Sequence, residues 1–168
     1  LDSKPPTIQV TSPLPNSLQN SRVVTISGTA DAKAASIVVT SPAVTSPVTA
    51  PIANGVFTAA NVALVEGLNT ITAKATSNAG NTGISTIKVT VDTVAPTVTL
   101  TAPKDQSLTN KKMIVVTGTV DDPLAVVKVN NTPVQVSRGV FTLSGVNLAE
   151  GTNTITATAA DRAGNQAK

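Results

Sequence analysis

The chain has 168 residues, 12 Lys plus Arg against 9 Asp plus Glu, a formal charge of +3, 40% hydrophobic residues and 1% aromatic. With no Cys, His, Trp or Tyr, it offers no zinc site on Cys or His, no Ser-His-Asp or Cys-His pair, no disulfide and no haem held by those ligands. Its two Phe make no platform for stacking sugars or bases, its cations are scattered singly apart from Lys111-Lys112, and no apolar run reaches the ~18 residues of a membrane helix.

In chain order the reading starts at Pro5-Pro6, which removes backbone donors ahead of a first strand near 7–11. Val, Ile and Thr alternate with polar residues between turn residues, which predicts further strands near 22–30, 36–41, 47–53, 56–64, 69–77 and 84–91. Pro96 opens a second set near 97–101, 113–120, 125–130, 133–137, 140–148 and 153–160. No segment has a helical period. Ile71, Ala73 and Ala75 are predicted to face inward and Thr70, Thr72 and Thr76 outward, with Ile155, Ala157 and Ala159 repeating the inward set.

The second set is a copy of the first. Pro6–Pro13 matches Pro96–Pro103 and Ser27–Asp31 matches Thr117–Asp121, both 90 residues on. Gly55–Thr58 matches Gly139–Thr142 and Leu64–Ile71 matches Leu148–Ile155, both 84 residues on, so the first copy carries six more residues within 40–54. A length change there is what a hairpin tip tolerates. The boundary falls in Thr90–Pro96, a short passage rather than a Gly/Ser tether, giving domains of 1–92 and 93–168 with limited freedom between them. Seven short strands suit a two-sheet sandwich. The second copy reaches only Gln166-Ala167-Lys168, just past the turn after its sixth strand, so its seventh is expected to be missing from this chain. Two explanations stay open: a longer parent chain that carries the strand, or a strand from another subunit that completes the sheet.

The succession Pro96-Thr-Val, Gly118-Thr, Gly139-Val-Phe, Leu148-x-Glu-Gly-x-Asn-Thr-Ile and Ala160-Asp-Arg-Ala-Gly-Asn resembles bacterial Ig-like repeats. Among these it is most similar to the Ig-like domain B of glucodextranase and to related surface-adhesin modules, and the resemblance covers both copies. It implies an all-β chain of two tandem Ig-like β-sandwiches, the second lacking its final strand. It also implies a non-catalytic structural or adhesive spacer, outside the cell or at the bacterial surface. An accessory module of a secreted polysaccharide-active enzyme and a subunit of a strand-exchanged filament are the alternatives. The expected partners are neighbouring Ig-like repeats or other domains of a longer chain, a strand-donating subunit, and a glycan or surface ligand. Neither nucleic acid nor a membrane span is expected of this segment.

In such a sandwich the connector and two turns meet at one pole of the downstream domain. For the second copy this pole would gather Asp92 from the connector, Asp121 and Asp122 from the turn after the second strand, and Asp161 with Asn165 from the turn after the sixth. Calcium takes six to eight oxygen ligands from such loops, which makes it the candidate cofactor, and a cation would relieve repulsion among the carboxylates. Calcium at the linkers of bacterial adhesin repeats, which Asp92-Thr-Val-Ala-Pro96 resembles, implies the same. Asp and Asn are also turn formers individually, and that reading accounts for each member separately. The first copy's equivalents are Asp2, Asp31, Ala32, Ser77 and Asn81, with two carboxylates replaced.

No catalytic residue is assigned, because Asp121-Asp122 has no cleft and no second group beside it. Glu66-Gly67 and Glu150-Gly151 read as tight turns, and Phe57 and Phe141 as core. Lys74, Lys88 and Lys128 read as exposed strand lysines rather than isopeptide donors. Asn130–Thr132 fits a glycosylation acceptor pattern but reads as a hairpin turn.

Overall fold

The computed structural model describes residues 3–168, so Asp2 lies outside the described residues. The chain divides into two compact units, Leu1–Thr93 and Val94–Lys168. In the first, β1 (Ile8–Ser12), β2 (Leu18–Gln19), β3 (Val23–Ala30), β4 (Ala34–Thr40), β5 (Val48–Ala50), β6 (Ile52–Ala53), β7 (Val56–Ala63), β8 (Gly67–Ser77) and β9 (Thr82–Val91) form two sheets, ordered β1-β3-β7-β6 and β2-β9-β8-β4-β5. The second contains β10 (Val98–Ala102), β11 (Met113–Val120), β12 (Val126–Val129), β13 (Thr132–Val134), β14 (Val136–Ser137), β15 (Val140–Asn147), β16 (Ala157–Ala160) and β17 (Gln166–Ala167). Its sheets run β10-β11-β15-β14 and β13-β12-β16-β17.

Period-two alternation makes each sheet amphipathic, and each unit closes its two apolar faces on a core of its own. Ile71, Ala73 and Ala75 on β8 are fully buried, as are Ile26, Ile37, Val39, Phe57 and Val89. The second core holds Val116, Val127, Val129, Phe141 and Ala159. Phe57 pairs across strands with Gly28, and Phe141 with Gly118, so in both units an aromatic ring lies over a glycine. All six additional residues of the first copy sit in one hairpin, between the paired Val39 and Val48. The matching pair Val129 and Thr132 is joined by Asn130-Asn131 alone, both at positive φ (46° and 66°), the backbone of a two-residue hairpin turn.

The structure corrects three expectations. The run 47–53 is two strands, because the chain crosses from one sheet to the other at Pro51, whose nitrogen has no hydrogen to give either ladder. The run 133–137 divides in the same way, β13 pairing with β12 and β14 with β15. The run 153–160 is a strand only at Ala157–Ala160. Its counterpart β8 spans eleven residues because β9 pairs with it along ten positions, whereas β17 gives β16 two paired positions. The last strand of the second sandwich, expected to be missing, is therefore represented by its first two residues.

The motif Leu64-x-Glu-Gly-x-Asn-Thr-Ile becomes a braced turn. Gly67 supplies positive φ (85°), and the fully buried Asn69 accepts from the Val65 N–H at 2.9 Å and donates to the Val65 and Gly67 carbonyls at 2.7 and 2.9 Å. Asn153 makes the same three bonds in the second unit but is exposed. Asn69→Ala would empty the buried place of its amide and leave three partly buried backbone groups without their partner, so it is expected to cost about 2 kcal/mol, and Asn153→Ala less than about 1, because water replaces the lost partner. Calorimetric melting of the two variants checks the contrast.

Candidate functional site

Asp31, Asp121, Asp122 and Asp161 are held on turns, and each is placed by a donor of its own chain. Asp31, after β3, accepts from the Thr7 N–H and hydroxyl through Oδ2, both at 2.9 Å, and from the Lys33 N–H through Oδ1 at 3.0 Å. It thus ties the start of β1 to the end of β3. Asp121 repeats the tie, accepting from the Thr97 N–H at 2.7 Å. The position equivalent to Lys33 is Pro123, which has no N–H, and Asp122 instead caps the Leu124 N–H at 2.8 Å. Pro123 thus removes the second bond that Asp31 makes, and Asp122 caps the next N–H along.

Asp161 accepts from the Gly164 and Asn165 N–H groups at 2.7 and 2.9 Å through Oδ1, and from Asn165 Nδ2 at 2.8 Å through Oδ2. In the first unit Ser77 takes that place, its hydroxyl accepting from the Asn81 N–H at 3.2 Å. Asp92 belongs to the first unit, where its N–H donates to the Gln19 carbonyl at 2.9 Å. The structure brings Asp161 and Asn165 together, and within the second unit it gives Asp121 and Asp122 separate donors. Among the described residues no group of three or more carboxylates is drawn together as a metal cage. With Asp121 Oδ1, Asp122 Oδ1 and both oxygens of Asp161 already accepting from donors of the chain, melting in calcium and in chelator is expected to give the same temperature. A rise in calcium that Asp121→Asn abolishes would place a cation at this pole.

A residue that sequence reasoning treated only as part of a turn proves to be a clamp. Glu66 accepts from the Thr93 N–H and hydroxyl, both at 2.9 Å, and from Arg22 Nε and Nη2 at 3.1 and 3.0 Å, holding the end of the first unit against the loop before β3. The signal was present as a pair kept in both copies, Glu66 with Arg22 and Glu150 with Lys112.

These contacts favour the ionised forms. The Thr93 N–H, then its hydroxyl and Arg22, hold Glu66 below its ordinary 4.5. The Thr7 N–H does the same for Asp31, the Thr97 N–H for Asp121, and the Asn165 side chain for Asp161, each below the ordinary 3.8. A carboxylate depressed in the folded state contributes stability that is complete above its unfolded value and is lost as pH falls through its folded one. The melting temperature is therefore expected to be flat from neutrality to about pH 5 and to fall below that. Asp121→Asn, which keeps an acceptor for Thr97 but carries no charge, should flatten part of the fall in calorimetric scans against pH.

Near Asp31 an open groove of about 480 Å³ is lined by Asp31, Ala34, Ser36, Thr49, Ala50 and Ile52. Its carboxylate is already committed, and it contains no aromatic face to hold a sugar ring.

Two sandwiches with turn-borne, self-bonded carboxylates define a tandem module of Ig-like type. The chain belongs to the family described as glucodextranase, domain B, whose model matches residues 6–93 and again 96–168. It is 36% identical over 160 residues to Bacillopeptidase F of Bacillus subtilis (strain 168), a match that covers 94% of this chain and 11% of that protein. Its fold is similar to that of the fibronectin(III)-like modules of Clostridium thermocellum CbhA, with a TM-score of 0.59 and 18% identity over 96% of this chain and 89% of theirs. It is also similar to a structure from a 1.5-MDa bacterial ice-binding adhesin, with a TM-score of 0.48 and 23% identity over 98% of this chain and 62% of that one.

Proposed function

We propose that this chain is a non-catalytic structural segment of a larger extracellular protein, in which two Ig-like sandwiches set the distance between flanking parts. The observation that carries this reading is the repetition of one self-sufficient design. Both copies spend their conspicuous polar residues on their own backbone, through Asp31 and Asp121 on Thr7 and Thr97 and through Asn69 and Asn153 on the turn before β8 and its counterpart. Among the described residues no buried side-chain nitrogen or oxygen lacks a partner. Nothing in this arrangement presents a nucleophile, or an acid and base together, in a cleft. The match to a small part of Bacillopeptidase F supports a second reading, an accessory module of a larger enzyme.

The test is substitution within the full-length protein. Replacing this segment by two unrelated β-sandwiches of similar length is expected to preserve the activity or adhesion of the whole, whereas deleting it reduces both. Loss of function on replacement would show that its surface is used directly. The 168-residue chain itself, applied to a glycan array, then separates the readings, since binding there would favour the accessory role.

A further inference from the structure

The additional residues of the first copy fall in the connection between β4 and β5, whose sequence is Ser41-Pro-Ala-Val-Thr-Ser-Pro47. A connection that only reverses the chain takes two residues, as Asn130-Asn131 does between β12 and β13. The longer one is braced in its first half. The Val44 N–H donates to the Ser41 carbonyl at 3.3 Å, closing a turn with Pro42 at its second position, and the Ser41 hydroxyl donates to the Ala63 carbonyl at the end of β7. The second half, Thr45-Ser46-Pro47, is exposed. Among the described residues none bonds to the hydroxyl of Thr45 or Ser46, whereas Thr93, Thr101 and Thr72 give theirs to Glu66, Thr117 and Thr86. No Lys or Arg lies between Lys33 and Lys74, and the one carboxylate there, Glu66, is committed to Thr93 and Arg22.

We propose that this hairpin is an acceptor site for O-linked glycosylation, with Thr45 and Ser46 as the residues that receive the sugar. Pro47 holds Ser46 in the extended region of backbone space and has no N–H of its own to engage a neighbouring hydroxyl. The acceptor segment is therefore already extended, and a transferase has no internal bond of its hydroxyls to break. Ala43, Val44 and Pro47 beside it bring neither charge nor a large side chain. Thr49 is exposed too, but its backbone sits in the ladder opposite Val38 and is not free to enter an enzyme's cleft. A sugar suits this tip better than a phosphate, whose charge asks for Arg or Lys beside it. Ser and Thr interspersed with Pro is also the composition of O-glycosylated stalks. In the transfer, the hydroxyl oxygen of Thr45 or Ser46 attacks the anomeric carbon of a glycosyl phosphate donor, either a sugar nucleotide or a lipid-linked sugar. The bond from that carbon to the phosphate oxygen breaks, the phosphate leaves with the electron pair, and the hydroxyl proton passes to a base of the transferase.

The test is mass spectrometry of the protein purified from the cells that make it. Trypsin releases the hairpin in one peptide, Ala34–Lys74, and a Thr-rich comparison in another, Val89–Lys104. The first is expected to exceed its sequence mass by one or more whole hexose or N-acetylhexosamine residues, and fragmentation that keeps side-chain groups attached should place them on Thr45, Ser46 or both. The second, in which Thr93 and Thr101 are bonded and most other threonines lie on strands, should have the mass of its sequence. Thr45→Ala combined with Ser46→Ala should remove the added mass and, in protein made without the sugar, leave the melting temperature unchanged, because both side chains are exposed and unbonded. A hairpin peptide at its bare sequence mass would overturn the proposal, and so would a phosphoryl group in place of a sugar. Sugars found elsewhere in that peptide, or equally on Val89–Lys104, would also overturn it, since composition and not the hairpin would then select the site. None of these outcomes touches the spacer reading.

Discussion

Truncating Phe57 to alanine is expected to destabilise the first sandwich by about 3–5 kcal/mol. The ring is fully buried at the centre of a core otherwise built from Val, Ile, Ala and one Leu, and the chain has only two aromatic side chains, one per unit. Small aliphatic neighbours cannot collapse into the space a phenyl ring leaves, so the cavity term adds to the lost transfer energy. At about 0.05–0.15 kcal/mol per residue, a unit of this size has only about 5–14 kcal/mol to lose. The melting temperature should fall by roughly 15–30 °C. Calorimetry is the right measurement because there is no Trp or Tyr to report by fluorescence. A loss below about 1 kcal/mol would show that the core repacks around the gap and that the ring is not its keystone.

Gly28→Ala should cost about 3 kcal/mol, the upper range for an overpacked position. A Cβ there would collide with the Gln9 carbonyl on β1 and lie 2.6 Å from Cε1 of Phe57. The ring could rotate away, but the carbonyl belongs to the β1–β3 ladder, where Val10 pairs with Gly28, so β1 itself would have to move. Gly118→Ala meets the same obstacles, the Thr99 carbonyl at 2.5 Å and the Phe141 ring. Combining Gly28→Ala with Phe57→Leu checks the cause. Removing the ring's edge should make the pair less damaging than the sum of the singles, by about 0.5–1 kcal/mol, while the backbone collision keeps most of the loss. Full additivity would mean that the ring does not crowd this glycine.

These two residues also show what was legible in the chain. Gly-Thr and Gly-Val-Phe stood out as separate repeated motifs, and in the fold they are one device, since Gly28 and Phe57 face each other across β3 and β7. Repetition marked both as constrained, but sequence distance hid the pairing. The acidic residues show the opposite case. Asp121, Asp122, Asp161 and Asn165 looked like a set because topology brings their turns to one pole; in the fold Oδ1 of Asp121, Oδ1 of Asp122 and both oxygens of Asp161 accept from donors of their own unit. Spacing along the chain cannot distinguish a carboxylate that awaits a cation from one that caps its own turn. That depends on the direction of backbone N–H groups, which only the folded turns define.

By itself the sequence determined the all-β class, the doubling of the unit, most strand positions and the inward set on β8. Each of these follows from local alternation and turn chemistry, and repetition of the unit doubles the signal. Only the tertiary structure decided where the chain crosses between sheets, which half of each long apolar run is a strand, and what Glu66 holds. A strand exists by virtue of its partner. β8 and residues 151–160 have closely similar sequences, and they differ because β9 lies along the whole of one and β17 beside only the end of the other.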